Sequence, residues 1–128
     1  MNKIHNPDTV HPPVSSYSHA REVPPQARWL FVSGQVGVSP RGETPADFAE
    51  QCAVAWTNLS RVLASAGMNQ DDLVKLTVFM VREEDLPAFR EARDRFLGGA
   101  RPATTLIFVK ALARPEWRIE IEAVAAKS

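Results

Sequence analysis

Apolar positions recur along this chain with two periods, and the places where the period changes mark its elements. From Arg28 to Val38, RWLFVSGQVGV is rich in aromatic and β-branched residues and is bounded by Pro25 and by Ser39-Pro40. This pattern predicts a strand, bent near Gly34. Thr44-Pro45-Ala46-Asp47 then places a capping hydroxyl before a proline at a first helical position, with an acid in the first turn, so a helix is predicted to begin there. Its stripe of Phe48, Cys52, Ala55, Leu59, Val62, Leu63 and Ala66 stays on one helical face, and Gly67 supplies a left-handed terminus. In Leu73 to Val81 the period shortens to two: Val74, Leu76, Val78 and Met80 share one face, Lys75 and Thr77 the other. A second helix is predicted from about Leu86 to Leu97, with Leu86, Phe89, Ala92, Arg93 and Phe96 at helical spacing and Gly98-Gly99 at its end. Two strands follow, Thr104 to Leu112 and Trp117 to about Ala126, separated by the turn Ala113-Arg114-Pro115-Glu116.

Ahead of these elements, Pro7, Pro12, Pro13, Pro24 and Pro25 remove backbone donors and fix φ, so the first quarter is expected to be extended and loop-rich, with only short edge strands. The body reads strand, helix, strand, helix, strand, strand. Strand-helix-strand crossovers are right-handed in nearly all proteins, and two helices cover one face of a mixed sheet most economically. The predicted class is α+β, one domain over residues 1–128. The other sheet face, rich in threonine, valine and alanine, is too apolar to stand open and implies self-association.

Composition narrows the function. A chain of 128 residues with 45% apolar and 23% charged side chains, 15 basic against 15 acidic, is one globular domain without a charged tail. It carries no signature of a nucleic-acid or membrane surface. MNKIHNPDTVHPP has no apolar run after Lys3, and no stretch approaches the about 18 uncharged apolar residues of a membrane span. The lone Cys52 excludes an internal disulfide framework. A cytoplasmic location is expected.

The chemistry visible in the residues is modest. His5, His11 and His19 have no metal-ligand spacing, so no metal is expected. Cys52 lies on the apolar helix stripe and reads as a small hydrophobe. Ser33-Gly34-Gln35-Val36-Gly37 sits inside a strand, unlike a phosphate loop, so its glycines read as points of close backbone approach. In Trp117 to Val124, Ile119, Ile121 and Ala123 share one face while Arg118, Glu120 and Glu122 share the other. That second face is either solvated with a cross-strand ion pair or directs a carboxylate into a cleft for general acid-base work.

Several of these residues carry a family resemblance. Tyr17, Ser33-Gly34-Gln35, Phe48 with Gln51, Asn58-Leu59, Ala66-Gly67, Val74-Lys75 with Thr77-Val78-Phe79, Pro102-Ala103 and Ile119-Glu120-Ile121-Glu122-Ala123-Val124-Ala125 occur in the order of the RidA family of reactive intermediate deaminases, formerly called YjgF-like. The resemblance spans nearly the whole chain. It implies a chorismate-mutase-like fold, a homotrimer with ligand clefts between subunits, and hydrolysis of enamines and imines such as 2-aminoacrylate without metal or cofactor. It places Tyr17, Ser33 and Gly34 at the cleft as substrate-binding residues and makes Glu120 the acid that positions water.

One position departs from the resemblance. Deaminating members read Pro-Ala-Arg-Ser or Pro-Ala-Arg-Thr, where the arginine forks onto the substrate carboxylate, whereas this chain has Pro102-Ala103-Thr104-Thr105. A hydroxyl cannot reproduce a bidentate, charge-assisted contact. Thr104 therefore implies altered substrate preference, with Arg90 as a candidate compensation or else an ordinary partner for Asp94 one turn on. The expected partners are a small-molecule substrate or ligand and further copies of the chain. The alternative is a non-catalytic, ligand-binding trimer. RNA cleavage, attributed to some relatives, is disfavoured by the balanced charge and the lack of a basic stripe.

Overall fold

The structure, a computed structural model, describes residues 2–128. Two short strands, β1 (Lys3–His5) and β2 (Ala20–Glu22), pair antiparallel in the head. The body comprises β3 (Arg28–Val36), α1 (Phe48–Ser65), β4 (Leu73–Met80), α2 (Leu86–Leu97), β5 (Ala103–Phe108) and β6 (Ile119–Lys127). Its four strands lie in the order β3-β6-β4-β5, with β4 and β5 parallel and β6 antiparallel to both β3 and β4. The predicted α+β sheet with two helices is therefore present.

One sheet face makes the core. Leu76, Val78 and Met80 of β4 and Ile119, Ile121, Ala123 and Ala125 of β6 pack with Cys52, Ala55, Leu59 and Leu63 of α1 and Phe89 and Leu97 of α2. Fully burying a leucine-sized side chain is worth about 1.5–3 kcal/mol, so this layer dominates the fold's stability. Among the described residues no helix is long and apolar enough to cross a membrane.

Local differences from the sequence pattern have tertiary causes. In β4 the pairing with β6 shifts between Leu73 and Lys75, so one extra residue is accommodated there. Leu73 is buried in consequence, and Val74, expected beside Leu76, is only half-buried. The cap of α1 is Asp47, whose carboxylate accepts from Glu50 N at 3.1 Å, and not Thr44. Residues 45 and 46 are drawn elsewhere: Pro45 O accepts from Gln51 Nε2 at 3.1 Å and Ala46 O from Arg118 at 3.2 Å. At the other end Met68 N donates to Leu63 O and Gly67 N to Ala64 O, both at 3.0 Å, with Gly67 at φ 71°. That is the left-handed terminus the sequence predicts. β5 stops at Phe108 and not Leu112, because its partner β4 ends at Met80.

Arg118 does not join the outward row of Glu120 and Glu122. Its guanidinium turns to Asp85 at the start of α2, with Nη2 to Oδ1 at 2.5 Å and Nε to Oδ2 at 3.2 Å, and lies over Phe48 at 5.3 Å. Buried Gln51 accepts from Arg118 N at 2.7 Å and donates to Glu116 O at 3.0 Å. The ion pair and the glutamine fix the point at which β6 begins.

Candidate functional site

The pleat of β6 turns Ile119 and Ile121 inward and Glu120 and Glu122 outward, onto the face that no helix covers. Glu120 sits opposite Val36 of β3 and Phe79 of β4 and is half-buried. Between Val32 and Gln35, β3 spends one residue more than β6, which places a bulge at Ser33-Gly34. The bulge brings Gly34 under Glu120: a Cβ at residue 34 would meet Glu120 Cδ at 2.6 Å and Cγ at 2.8 Å. Only glycine leaves the carboxylate room to lie there. Ser33, with Phe31, Lys75, Thr77 and Glu122, lines a shallow cavity of about 300 Å³ on the same face. Lys75 Nζ donates to Thr105 Oγ1 at 2.7 Å beside it.

Tyr17 and Thr104 form a second group. Ser18 bridges Ala103 in parallel fashion, its N donating to Pro102 O at 3.2 Å and its Oγ to Arg101 O at 2.5 Å. This fastens the head along the start of β5 and sets Tyr17 beside Pro102-Ala103-Thr104. The Tyr17 ring stands edge-on to His19 at 5.9 Å, and its hydroxyl accepts from Val14 N at 3.4 Å. Thr104 Oγ1 donates to Pro102 O at 3.1 Å, so its proton is already committed. Arg101, at 3.0 and 2.8 Å from the carbonyls of Gly98 and Ala100, is spent on the end of α2.

The two groups do not converge within one chain. Thr104 is level with Leu76, which faces the helices, whereas Glu120 is level with Phe79, on the opposite face three pairing rows away. The separation is roughly 10 Å along the strands and roughly 10 Å across them. Arg90 is exposed on α2 and makes no ion pair among the described residues. The pairing expected for it is not formed: Asp94 accepts instead from Ser16 Oγ at 2.7 Å and Arg93 Nε at 3.0 Å. Those hydrogen bonds, led by Ser16, hold the Asp94 carboxyl below its usual range. Arg93 and the serines were not singled out by the sequence; the only signal was an arginine on the apolar stripe.

Cys52 is fully buried, and desolvation pushes its thiol up to about 12, which leaves it protonated and inert. Among the described residues no three His, Cys, Asp or Glu side chains are grouped to hold a metal. His5 bonds Glu22 at 2.7 Å and His19 bonds the His11 carbonyl at 2.6 Å.

A family profile described as endoribonuclease L-PSP matches residues 8–127. The chain belongs to the RidA family. Curated relatives of this RidA-family chain include the 2-iminobutanoate/2-iminopropanoate deaminase of Mus musculus, 33% identical over 116 residues and covering 89% of this chain and 83% of its own. A RutC family protein of Aquifex aeolicus is 32% identical over 121 residues, 90% of this chain and 91% of its own. Among solved structures, the Rid family protein YyfB from Yersinia pestis superposes with a TM-score of 0.88 at 36% identity, covering 98% of each chain. TdcF of Escherichia coli with bound serine superposes with a TM-score of 0.75 at 28% identity, covering 98% of this chain and 99% of its own. Deaminase-named relatives over most of its length support an imine or enamine deaminase type of function for this RidA-family chain.

Proposed function

We propose that the chain is a cofactor-free hydrolase of imine or enamine metabolites that works as a homotrimer, with its site in the clefts between copies. The observation that carries this reading is the half-buried Glu120 carboxylate held against Gly34 on an uncovered sheet face. That face displays Trp29 at 52% exposure and Phe31 at 75%, stacked at 6.2 Å, together with Ile107. An apolar patch of this kind on a sheet favours cover by another copy. Since Tyr17 and Thr104 lie far from Glu120 in one chain, contact between copies is the arrangement that uses both groups.

In the chemistry, an enamine first tautomerises to its imine. Glu120, as carboxylate, takes a proton from water while the water oxygen bonds to the C=N carbon. Glu120 gives that proton to the former imine nitrogen, completing the carbinolamine. It then takes the hydroxyl proton and passes it to the same nitrogen as the C–N bond breaks, so that ammonia leaves and the carbonyl forms. One water is consumed and Glu120 returns to its starting state. Positioned proton transfer of this kind is worth about 10²–10⁴-fold in rate.

Thr104 stands where the family resemblance places arginine, and its hydroxyl proton is held by Pro102 O. A single neutral hydroxyl does not reproduce the charge-assisted fork of a guanidinium, so it does not anchor a carboxylate as an arginine would. The favoured substrates are neutral or longer imines. The same feature supports the second reading, a binding trimer without turnover.

The test is ammonia release by the purified protein from 2-aminoacrylate and from a panel of neutral and longer imines, with Glu120→Ala as control. Turnover about 10²-fold or more above the control is expected for at least one neutral imine. Equal rates for both proteins across the panel overturn the hydrolase. A metabolite screen by thermal shift then decides for or against the binding trimer.

A further inference from the structure

The buried stripe of α2 contains one charged residue, Arg93, only 7% exposed. A guanidinium is almost never buried unless it is paired, and an apolar side chain of similar length would fill the position without that demand. Its contacts show where it is used. Arg93 Nη2 donates to Ser15 Oγ at 2.7 Å, Nε donates to Asp94 Oδ1 at 3.0 Å, and the group lies 5.7 Å from the centre of the Phe89 ring. The same Asp94 oxygen accepts from Ser16 Oγ at 2.7 Å. Consecutive residues of the head are thus tied to consecutive residues of α2. Beyond Tyr17, Ser18 is fastened to Arg101 and Pro102. Tyr17 is held between two tethers in a segment that has no regular strand from residue 6 to residue 17.

We propose that Arg93, together with Asp94, is a positioning residue that fixes residues 15–17 so that Tyr17 is presented to the ligand. This rests on Tyr17 being a cleft residue, as the proposed function has it. A fork with several donors suits the task, because one rigid group meets Ser15 and Asp94 at once, and Asp94 passes the restraint to Ser16. Lysine would offer a single mobile point charge in its place.

Tyr17 is the only tyrosine in the chain, so the full-length protein labelled with 3-fluorotyrosine gives one fluorine NMR resonance from this loop. Arg93→Met keeps the stem and its packing; its resonance is expected to move toward the position of free fluorotyrosine. The double substitution Ser15→Ala with Ser16→Ala is expected to do the same with an unchanged melting temperature, and it decides the matter if Arg93→Met fails to fold. Arg93→Lys should fall between the parent and Arg93→Met. For a substrate that the parent turns over, the serine variant should raise KM about tenfold with kcat within a factor of two. A resonance that stays on the parent position in the serine variant overturns the proposal, whether or not any imine is hydrolysed. Conversely, a resonance that moves in a protein without turnover upholds the clamp and removes the hydrolase.

Discussion

The Glu120 side chain occupies the space that a β-carbon would need at Gly34, with Cδ 2.6 Å and Cγ 2.8 Å from that position. The obstructing atoms are the far end of a side chain, so they can swing away at little cost in stability. Gly34→Ala is therefore expected to change the unfolding free energy by less than about 1 kcal/mol while displacing the carboxylate. Against a substrate that the parent hydrolyses, kcat should fall by about 10²-fold, the order lost with a general base. A variant with normal stability and full activity would show that Glu120 need not lie where it does.

Thr104→Arg addresses the carboxylate anchor. If the remainder of the site is that of the deaminating relatives, the substitution should create or raise turnover of 2-imino carboxylates and lower their KM, because two charge-assisted hydrogen bonds replace a hydroxyl already bonded to Pro102 O. Steady-state kinetics of both proteins on one imino acid and one neutral imine reads this directly. No gain for the imino acid, with the fold intact, would place the divergence elsewhere in the cleft.

Asp85 and Arg118 form an ion pair whose side chains are 7% and 18% exposed. Removing one member strands the other, which costs about 3–5 kcal/mol. Asp85→Ala should show that loss in urea denaturation, whereas Asp85→Leu combined with Arg118→Met should recover most of it. Because Arg118 immediately precedes β6, Asp85→Ala should also weaken any activity that depends on Glu120.

The Cys52 thiol yields a pH prediction. Its folded value, raised from about 9 to about 12 by burial, exceeds the unfolded one. The group's contribution to stability is therefore complete below about pH 9 and is lost as pH rises from there toward about 12. In native protein at pH 8 the thiol should resist a disulfide reagent, and one equivalent should react in denaturant. Rapid reaction of native protein would contradict the burial.

Elements governed by local rules were readable from the residues alone. α2 runs from Leu86 to Leu97 as its stripe and terminal glycine pair predict, and Gly98 takes a positive φ of 56°. The bulge at Gly34 and the outward row of Glu120 and Glu122 likewise follow from the strand pattern. What escaped depends on partners distant in sequence. Thr44 and Asp47 can both cap a helix locally; the choice of Asp47 goes with the Pro45 and Ala46 carbonyls accepting hydrogen bonds from Gln51 and Arg118. Arg118 leaves its expected row for an acid 33 residues away. Arg93 stands on an apolar stripe because the head, 78 residues earlier, lies against it. Candidate residues could thus be named from the sequence, but their division into two groups on opposite sheet faces needed the register.

The stacked Trp29 and Phe31 bear on how the protein behaves on dilution. If their face is covered only when copies meet, folding and assembly share one free energy, and the melting temperature should climb as protein is concentrated. Specific activity would then follow the same curve, falling in dilute assays for want of neighbours and not for want of substrate.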